Sequence, residues 1–537
     1  CHGKSAVERT AENHKSYKDM RWIMKRKYSR CECPDEEIYL SEGDGYYNLY
    51  LKSPYYEENC FLEEPPEASC AEYEAVKDKL PKPYWAGHEE EIKAHDFAWD
   101  LAFRHIGQPT KENGFVRSFI ETSFNMSTFM GDSSAMMEFT KYAEEVFDFR
   151  GTLDNFYSKQ HLDGFICREI RADNGKDRFH RFDPISVGPY WLGYTEWDLY
   201  CRNRDKKRLE KVFAPLMGLH LWIGRHRRNP DGSYWHTGLS STMDNQPRVP
   251  AGYSRRLDKA GMSWLDANLS MLLDADALIK MSEVLGREGE TSELRKEREF
   301  LLNYLLEKHW DKEREFFFDV NADGSFNDCK SVGAFWALHV EGMPKEITDA
   351  LVRHLLDERE FNRLNPVPSI SADSPMYDGN GAYWRGGVWS CINYMVFSGL
   401  VKRGYGEVAF DLAKRHNRCI AEMYRKTGTL WEVSAPDETE LSKPSEPDFV
   451  GWTGLSVISD LYEFVFGITA DGEKGEIEWR VNLTEEFGIE NYPFRGRLFH
   501  LHCKARKSPE EEPEIRVTGG DVTVRLVWKD NVKILKF

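Results

Sequence analysis

The stretch Ala277-Leu-Ile-Lys-Met-Ser-Glu-Val-Leu285 shows the pattern that decides the fold. Its apolar residues recur at spacings of three, four and seven, which is the period of an amphipathic helix. Similar segments recur from about residue 89 to 465, separated by loops rich in Gly, Pro and Asn. We predict about twelve helices, at roughly 91–107, 131–147, 151–161, 189–203, 206–227, 263–286, 290–308, 329–340, 345–357, 387–403, 406–424 and 450–464.

Twelve helices with the most distinctive motifs in the loops between them fit an (α/α)6 toroid. In such a six-hairpin barrel an inner ring of helices packs inside an outer ring, and loops gather around one open end. An irregular helical array is the alternative, and the helix count alone does not choose between the two. The predicted fold class is therefore mainly α, with 89–465 as the toroid.

Shorter segments flank the helical region. In the N-terminal segment 1–88, Ile38–Leu40 and Tyr46–Leu51 predict a hairpin around a loop containing Glu42-Gly-Asp-Gly45. After residue 466 the pattern changes to alternation, which predicts about five strands in a small β domain, 466–537. Gly475–Val481, Arg497–His502 and Val522–Trp528 are the clearest of these strands.

Composition excludes two classes of partner. The 537-residue chain carries a net charge of -18, so no extended basic surface for nucleic acid is expected. No run of 18 uninterrupted apolar residues is present, so no transmembrane segment is expected. The aromatic content of 13% suits stacking on carbohydrate and equally suits a large helical core, so it does not decide the function.

The cysteines are scattered, and none has the paired spacing of a zinc site. A disulfide between Cys60 and Cys70 is a minor interpretation. The sequence begins at Cys1, which favours a bacterial lipoprotein with a lipid anchor at that residue, and an arbitrary boundary is the alternative. The lipoprotein interpretation implies a periplasmic or outer-membrane-anchored location.

Two carboxylates lie in loops of aromatic, glycine and small polar residues. Asp244 lies in Tyr234-Trp-His-Thr-Gly-Leu-Ser-Ser-Thr-Met-Asp-Asn-Gln-Pro-Arg248, and Glu432 lies in Lys426-Thr-Gly-Thr-Leu-Trp-Glu-Val-Ser-Ala-Pro-Asp437. Hydrolysis of a glycosidic bond needs one carboxylic acid to protonate the leaving oxygen and one carboxylate to activate water. We predict that Asp244 is the acid, its pKa raised by nearby Trp235, and that Glu432 stays ionised as the base. A cap or turn role is the alternative for each.

Four further segments have the composition of a sugar site, and each has a structural alternative. Capping is the alternative for Asp132, an Arg–Glu ion pair for the segment 160–170, and core packing for 383–389 and 449–454. With the neighbours of the two carboxylates, the predicted substrate-binding residues are Asp132, Gln160, Asp163, Arg168, Glu169, Trp235, Asn245, Tyr383, Trp384, Arg385, Trp431 and Trp452.

A calcium loop is suggested by Asp319-Val-Asn-Ala-Asp-Gly324, with Asp319, Asn321 and Asp323 as ligands. The closing position holds Lys330 rather than Glu, so the EF-hand pattern fails. A hairpin turn is the preferred interpretation, and no cofactor is expected.

Together these motifs resemble glycoside hydrolase family 63 and the related trehalases of family 37, over roughly 115–465. Met243-Asp-Asn-Gln-Pro-Arg248 resembles the general-acid motif of the family, and Trp431-Glu432 resembles the segment that holds its general base. Tyr383-Trp-Arg-Gly386 is similar to a family signature, and 160–169 resembles its substrate loop. The resemblance implies an (α/α)6 barrel, an exo-acting pocket and inversion at the anomeric carbon.

One position departs from the family pattern. Similar members have Trp before the Asp of the 129–134 motif, whereas this chain has Gly131, which reshapes the subsite for the terminal sugar. The leading hypothesis is an inverting exo-acting α-glycosidase, α-glucosidase-like, that hydrolyses oligosaccharides. The alternatives are a non-hydrolytic carbohydrate-binding surface protein, and an epimerase, lyase or phosphorylase on the same toroid.

Overall fold

The computed structural model describes residues 30–33, 36–40 and 49–537. The proposed lipid site at Cys1 and the predicted turn Glu42–Gly45 lie outside the described residues. Glu36–Leu40 pairs antiparallel with Leu49–Leu51, so the pairing of the N-terminal hairpin is confirmed, and Arg30–Cys33 adds a third strand. Cys60 and Cys70 both carry free thiols, which contradicts the disulfide interpretation.

All the predicted helical segments are helical. Alternate segments form an inner ring: Met130–Thr140, Leu192–Asn203, Leu265–Leu285, Val332–His339, Ser390–Lys402, and Thr453–Val457 with Asp460–Val465. Each inner helix packs against the next and the last packs against the first, so the ring is closed. The outer ring is Glu89–Arg104, Gly151–Ser158, Lys206–His226, Ser292–Tyr304 with Leu305–His309, Lys345–Leu356 and Gly406–Thr427. The predicted (α/α)6 toroid is confirmed.

The two rings differ in how much of each helix is buried. Leu265–Leu285, in the inner ring, is buried on nearly every face, whereas Ser292–Tyr304, in the outer ring, buries only Leu294 and Leu301. A helix that is apolar all round belongs inside a protein, and one with a narrow apolar stripe covers it. No helix in the described part of the chain has the length and apolar character needed to cross a bilayer.

Short elements complete the toroid. The short helices are Tyr56–Glu58, Cys60–Glu63, Tyr73–Val76, Lys141–Ala143, Gly238–Ser241 and Glu288–Thr291. Three two-stranded sheets lie in the loops: Ile106–Gly107 with Phe119–Ile120, Ser127–Phe129 with Glu169–Arg171, and Trp310–Asp311 with Phe316–Phe317.

The C-terminal region contains seven strands rather than the five predicted. One sheet has the order Ile468–Asp471, Glu476–Arg480, Thr523–Trp528, Asn531–Lys536. The other has the order Ile515–Thr518, Arg497–Cys503, Phe487–Phe494, Lys82–Trp85. Because Lys82–Trp85 pairs antiparallel with Phe487–Phe494, the N-terminal segment supplies an edge strand to the C-terminal sheet.

A buried ion-pair cluster fixes the loop that follows Asp244. Arg248 is 2% exposed and binds two carboxylates. Its Nη1 and Nη2 donate to Asp266 at 2.8 and 2.7 Å, and its Nε and Nη2 donate to Asp319 at 2.6 and 2.8 Å. Asp319 Oδ1 also accepts the backbone N–H of Leu265 at 2.8 Å. One guanidinium therefore joins a loop, the start of an inner helix and the turn at 319–326.

We expect the Arg248→Met variant to lose about 3–5 kcal/mol of unfolding free energy, because two carboxylates are left buried without a cation. Arg425→Met is the matched control, since Arg425 is 51% exposed and pairs with Glu422 on the same helix; its loss should stay below about 1 kcal/mol. Urea unfolding followed by circular dichroism measures both. If the two variants lost equally small amounts of unfolding free energy, the structural role given to Arg248 would be contradicted.

Candidate active site

The loop carrying Asp244 is held by its neighbours. Asn245 Nδ2 donates to Ala382 O at 3.0 Å, and Asn245 Oδ1 accepts the N–H of Trp384 at 2.8 Å. Gln246 Nε2 donates to Ser369 O at 2.7 Å. Asn245 was predicted to bind substrate, but both ends of its amide bind backbone, so it is a positioning residue.

Glu432 is fixed by backbone and by aromatic side chains. Its N–H donates to Glu446 O at 2.9 Å, and its carbonyl accepts Trp452 Nε1 at 2.6 Å. Tyr383 Oη donates to Glu432 Oε1 at 3.2 Å. The backbone of Tyr383 has a φ of 67°, a conformation that bulky residues rarely adopt. Asn245 binds the backbone of the residues on both sides of Tyr383, and the Tyr383 hydroxyl binds Glu432. Tyr383 therefore connects the loop that carries Asp244 with the loop that carries Glu432.

Burial raises the pKa of both carboxyls. The pKa of Glu432 rises to about 7, and the Tyr383 hydroxyl opposes the rise. The pKa of Asp244 is raised by burial and held down by Arg168 and Arg256, whose Nη2 lies 3.3 Å from Asp244 Oδ2. This pKa of Glu432 is higher than the prediction of an ionised base assumed.

Asp132 and Arg168 lie beside these loops because Ser127–Phe129 pairs with Glu169–Arg171. Met130 N–H donates to Arg168 O at 2.8 Å, which continues the pairing into the helix Met130–Thr140. Asp132 lies in the first turn of that helix, whose N-cap residue is Phe129, so Asp132 is not the cap. Burial raises the pKa of Asp132 well above its usual value, and Arg168 opposes this.

Arg168 interacts electrostatically with three acidic side chains. It forms an ion pair with Glu169 at 3.4 Å, as the structural alternative for this segment predicted. It also lowers the pKa values of Asp132 and Asp244, so it lies within electrostatic reach of both. The pKa of Glu169 is raised by burial, with Arg168 again opposing. The structure thus brings together Asp132, Arg168, Glu169, Asp244, Tyr383, Glu432 and Trp452.

Two predicted substrate-binding residues are instead bound within the protein. Gln160 Nε2 donates to Gly164 O and Pro215 O at 3.0 and 2.8 Å, and its Oε1 accepts Asn59 Nδ2 at 3.0 Å. Asp163 Oδ2 accepts Trp222 Nε1 at 3.0 Å and pairs with Arg181 at 2.8 Å. Because their polar atoms are engaged and their side chains buried, both are corrected to structural roles.

Of the three residues predicted to bind substrate at 383–385, two have other partners in the structure. Trp384 is 2% exposed and stacks on Trp389 with ring centres 3.9 Å apart, so it belongs to the core. Arg385 Nε donates to Met376 O at 3.0 Å. Tyr383 alone of the three contacts a candidate catalytic group.

Two predicted tryptophans have local partners. Trp235 is 8% exposed, and Arg227 and Lys259 each lie 4.9 Å from its ring centre, so little of its face is open to a sugar. Burial is the main cause that raises the pKa of Asp244. Trp431 Nε1 donates to Thr427 Oγ1 at 3.0 Å, and its ring is half-buried.

A cavity beside Asp132 contains residues that the sequence analysis missed. Asp132, Thr242 and Trp452 line it near the two carboxylate loops, and Trp191 and Trp336 also line its wall. These aromatics lie in or next to helices, where a tryptophan in an apolar pattern is indistinguishable from core. A Cβ at Gly131 would lie 2.9 Å from Pro189 Cγ, so Pro189 occupies the place of a side chain there.

The segment 319–324 forms a turn. Val320 bridges antiparallel to Phe326, and Asn321 N–H donates to Ser325 O at 2.9 Å. Asp323 Oδ1 accepts the N–H and the hydroxyl of Ser325. The hairpin-turn interpretation is confirmed, while Asp319 binds Arg248.

Comparison with known proteins agrees with this architecture. Residues 93–453 match the family described as mannosylglycerate hydrolase MGH1-like glycoside hydrolase domain. A Borreliella burgdorferi protein is 23% identical over 69% of this chain and 78% of its own length. A probable mannosyl-oligosaccharide glucosidase of Schizosaccharomyces pombe is 24% identical over 59% of this chain, which spans 40% of that protein.

A solved structure has the same fold. The GH63 mannosylglycerate hydrolase of Thermus thermophilus superposes with a TM-score of 0.54 at 19% identity, over 68% of this chain and 99% of that one. The family match covers more than half of the sequence and includes both carboxylate loops. The chain belongs to the MGH1-like glycoside hydrolases of family 63.

Proposed function

We propose that this glycoside hydrolase is an inverting, exo-acting α-glycosidase, with an α-glucoside of an oligosaccharide as the first substrate to test. The observation that carries the proposal is the junction at Tyr383, whose hydroxyl binds Glu432 while Asn245 holds the backbone on either side of it. These contacts hold the two carboxyls, which lie on separate loops, in a fixed position relative to each other. The glucosidase name of the yeast relative supports the choice of glucoside.

In the proposed reaction Asp244 gives its proton to the glycosidic oxygen as the bond to the anomeric carbon breaks. Glu432 takes a proton from a water molecule, whose oxygen attacks the opposite face of that carbon. The product has inverted configuration, and both carboxyls regain their starting state by exchange with solvent. For this geometry the carboxyls must lie roughly 6.5–9.5 Å apart. Asp132 and Arg168 are proposed to bind the hydroxyls of the terminal sugar.

Besides burial, the nearby carboxylate of Asp244 contributes to the raised pKa of Glu432. Arg256 is 60% exposed at the rim and holds the pKa of Asp244 down. A leaving group that displaces Arg256 therefore favours placing the proton on Asp244, where the reaction needs it.

We expect Asp244→Asn and Glu432→Gln each to lower kcat by on the order of 10³-fold, because each removes a proton-transfer group. Proton NMR of anomeric signals, recorded with α-linked glucosides and mannosides, measures turnover and shows which anomer forms first. The β-anomer is expected.

Asp437→Asn is the matched control for these variants, because Asp437 lies in the same loop as Glu432 but pairs with Arg363 at 2.6 Å. It should keep most of the wild-type rate. Early release of the α-anomer would reject inversion, and near-normal turnover by either of the two carboxyl variants would reject its role.

We expect Tyr383→Phe to raise the pKa of Glu432 above about 7, because the lost hydroxyl stabilises the ionised carboxylate. The limb of the kcat/KM profile near pH 7 should move to higher pH by about 0.5–1 unit, the effect of one hydrogen bond. Tyr424→Phe, on the outer helix Gly406–Thr427, is the control. An unchanged profile in Tyr383→Phe would show that this hydroxyl does not tune the reaction.

We expect Arg256→Ala to raise the pKa of Asp244, since the variant lacks a cation that favours the ionised form. Titration of ¹³C-labelled aspartate side chains by NMR follows the carboxyl directly. Arg255→Ala changes the neighbouring residue of the same loop and should leave Asp244 unchanged. An identical Asp244 titration in wild type and Arg256→Ala would contradict this account of the proton.

A further inference from the structure

The cavity beside Asp132 continues into the axis of the toroid. It is narrow, with an accessible volume of about 60 Å³, and it is open to solvent at its mouth. Five of the six inner helices line it, all except Leu265–Leu285. Asp244 and Glu432 are not among its lining residues, whereas Thr242 and Trp452, which adjoin their loops, are. A sugar with its anomeric carbon between the two carboxyls therefore lies at the mouth.

The side of the sugar ring opposite the anomeric carbon then faces inward. In a hexopyranose that side carries the substituents on C4 and C5, including the C6 group. Whatever is attached there enters the cavity. The chemistry of the cavity wall thus determines which terminal sugars fit.

The wall beyond the mouth is mainly hydrocarbon. Trp191, Trp336, Ile392, Met395 and Leu455 contribute ring and aliphatic surface. Ser134 lies there too, but its hydroxyl donates to Met130 O at 2.9 Å, within its own helix. A sugar hydroxyl placed against this wall loses hydrogen bonds to water without replacement, which is unfavourable, whereas a methyl group gains from burial.

The polar groups at the inner end are bound to one another. Tyr194 Oη contacts His339 Nδ1 at 3.0 Å and accepts Lys402 Nζ at 2.7 Å. Tyr394 Oη donates to Glu463 Oε2 at 2.9 Å and accepts Lys141 Nζ at 3.1 Å. These hydroxyls are already engaged before any ligand enters.

Glu138 is the charged residue at this inner end. Its Oε2 accepts Lys141 Nζ at 2.9 Å and Tyr394 Oη at 3.3 Å. Its Oε1 accepts no hydrogen bond from the residues that the structure describes. Burial raises the pKa of Glu138, and the carboxyl of Asp198 also lies close enough to contribute to this raised pKa. Of the polar groups at this inner end, Glu138 Oε1 is thus without a partner, and Trp336 Nε1 on the wall also has none among the described residues.

We propose that the cavity accepts a methyl-terminated group on the C5 or C4 side of the terminal sugar. The group is either the methyl of a 6-deoxyhexose or that of an acetyl ester on O6 or O4. The inference rests on the proposed function and names its substrate class: α-glycosides of deoxy or acetylated hexoses, in preference to the unmodified hexosides.

The test compares matched substrates with the full wild-type chain. The p-nitrophenyl α-D-glucoside is set against its 6-deoxy and 6-O-acetyl analogues, and the α-D-mannoside against the same two modifications. We expect kcat/KM to be on the order of 10- to 100-fold higher for the methyl-terminated member, the range for one such group in an apolar pocket. A gain for the deoxy analogue alone identifies a direct methyl contact, and a gain for the ester alone identifies an acyl group.

Equal or higher kcat/KM for the unmodified hexosides would overturn the inference while leaving the glycosidase proposal intact. That result would mean that a polar group of the cavity, such as Glu138 Oε1 or Trp336 Nε1, binds the hydroxymethyl group. If none of the glycosides is hydrolysed, the proposed function fails, and calorimetry with free 6-deoxyglucose and glucose still tests the cavity. Tighter binding of 6-deoxyglucose supports it, and equal or weaker binding rejects it.

A pair of variants tests whether the cavity wall causes the preference for methyl-terminated substrates. Met395→Gln places an amide in the wall and should reduce the advantage of the methyl-terminated substrate at least several-fold, on the principle that a polar wall satisfies a hydroxyl. Met137→Gln changes a buried methionine of the inner ring that does not line this cavity, and should keep the advantage. A preference unchanged by Met395→Gln would place its origin elsewhere. Should either variant misfold, the wild-type comparison still decides.

Discussion

The guanidinium of Arg248 is the point on which the geometry of the candidate site depends. It binds Asp266 at the start of an inner helix and Asp319 in the turn 319–326, and it lies 4.5 Å from the ring centre of Trp264. A buried cation between two buried carboxylates is stable only as a complete set, because any missing partner leaves an uncompensated charge. Arg248 is four residues from Asp244, so this requirement fixes where the Asp244 loop leaves the barrel.

From that anchor, successive contacts reach the second carboxylate. Gln246 and Asn245 bind backbone in 369 and 382–384, and Tyr383 binds Glu432. Trp452 completes the chain by donating to Glu432 O from the start of the last inner helix. The two carboxyls are far apart in sequence, yet hydrogen bonds of 2.6 to 3.2 Å connect the loops that carry them. This is the preorganisation that a two-carboxyl mechanism requires.

The sequence predicted the toroid well because helical periodicity is local. All twelve segments were found, and the change to strands after residue 466 was correct. The strand Lys82–Trp85 was missed because its partner Phe487–Phe494 lies some four hundred residues away, a pairing that no local pattern encodes. Likewise, Gln160 and Asp163 have residue types suited to sugar, and only the structure shows Asn59, Trp222 and Arg181 already bound to them.

The candidate catalytic carboxyls and the wall of the cavity belong to different parts of this fold. The carboxyls lie on loops fixed by Arg248 and Asn245, whereas the cavity wall consists of side chains from inner helices. Glu138, which lines the cavity, belongs to a buried ionic cluster with Lys141 and Glu463, and such a cluster resists the loss of any one member. We therefore expect substitutions in the wall, such as at Met395, to alter which sugar fits without moving the loops. Because Gly131 leaves Pro189 in place of an aromatic side chain, this chain differs from the family resemblance at the wall and retains the motifs at the loops.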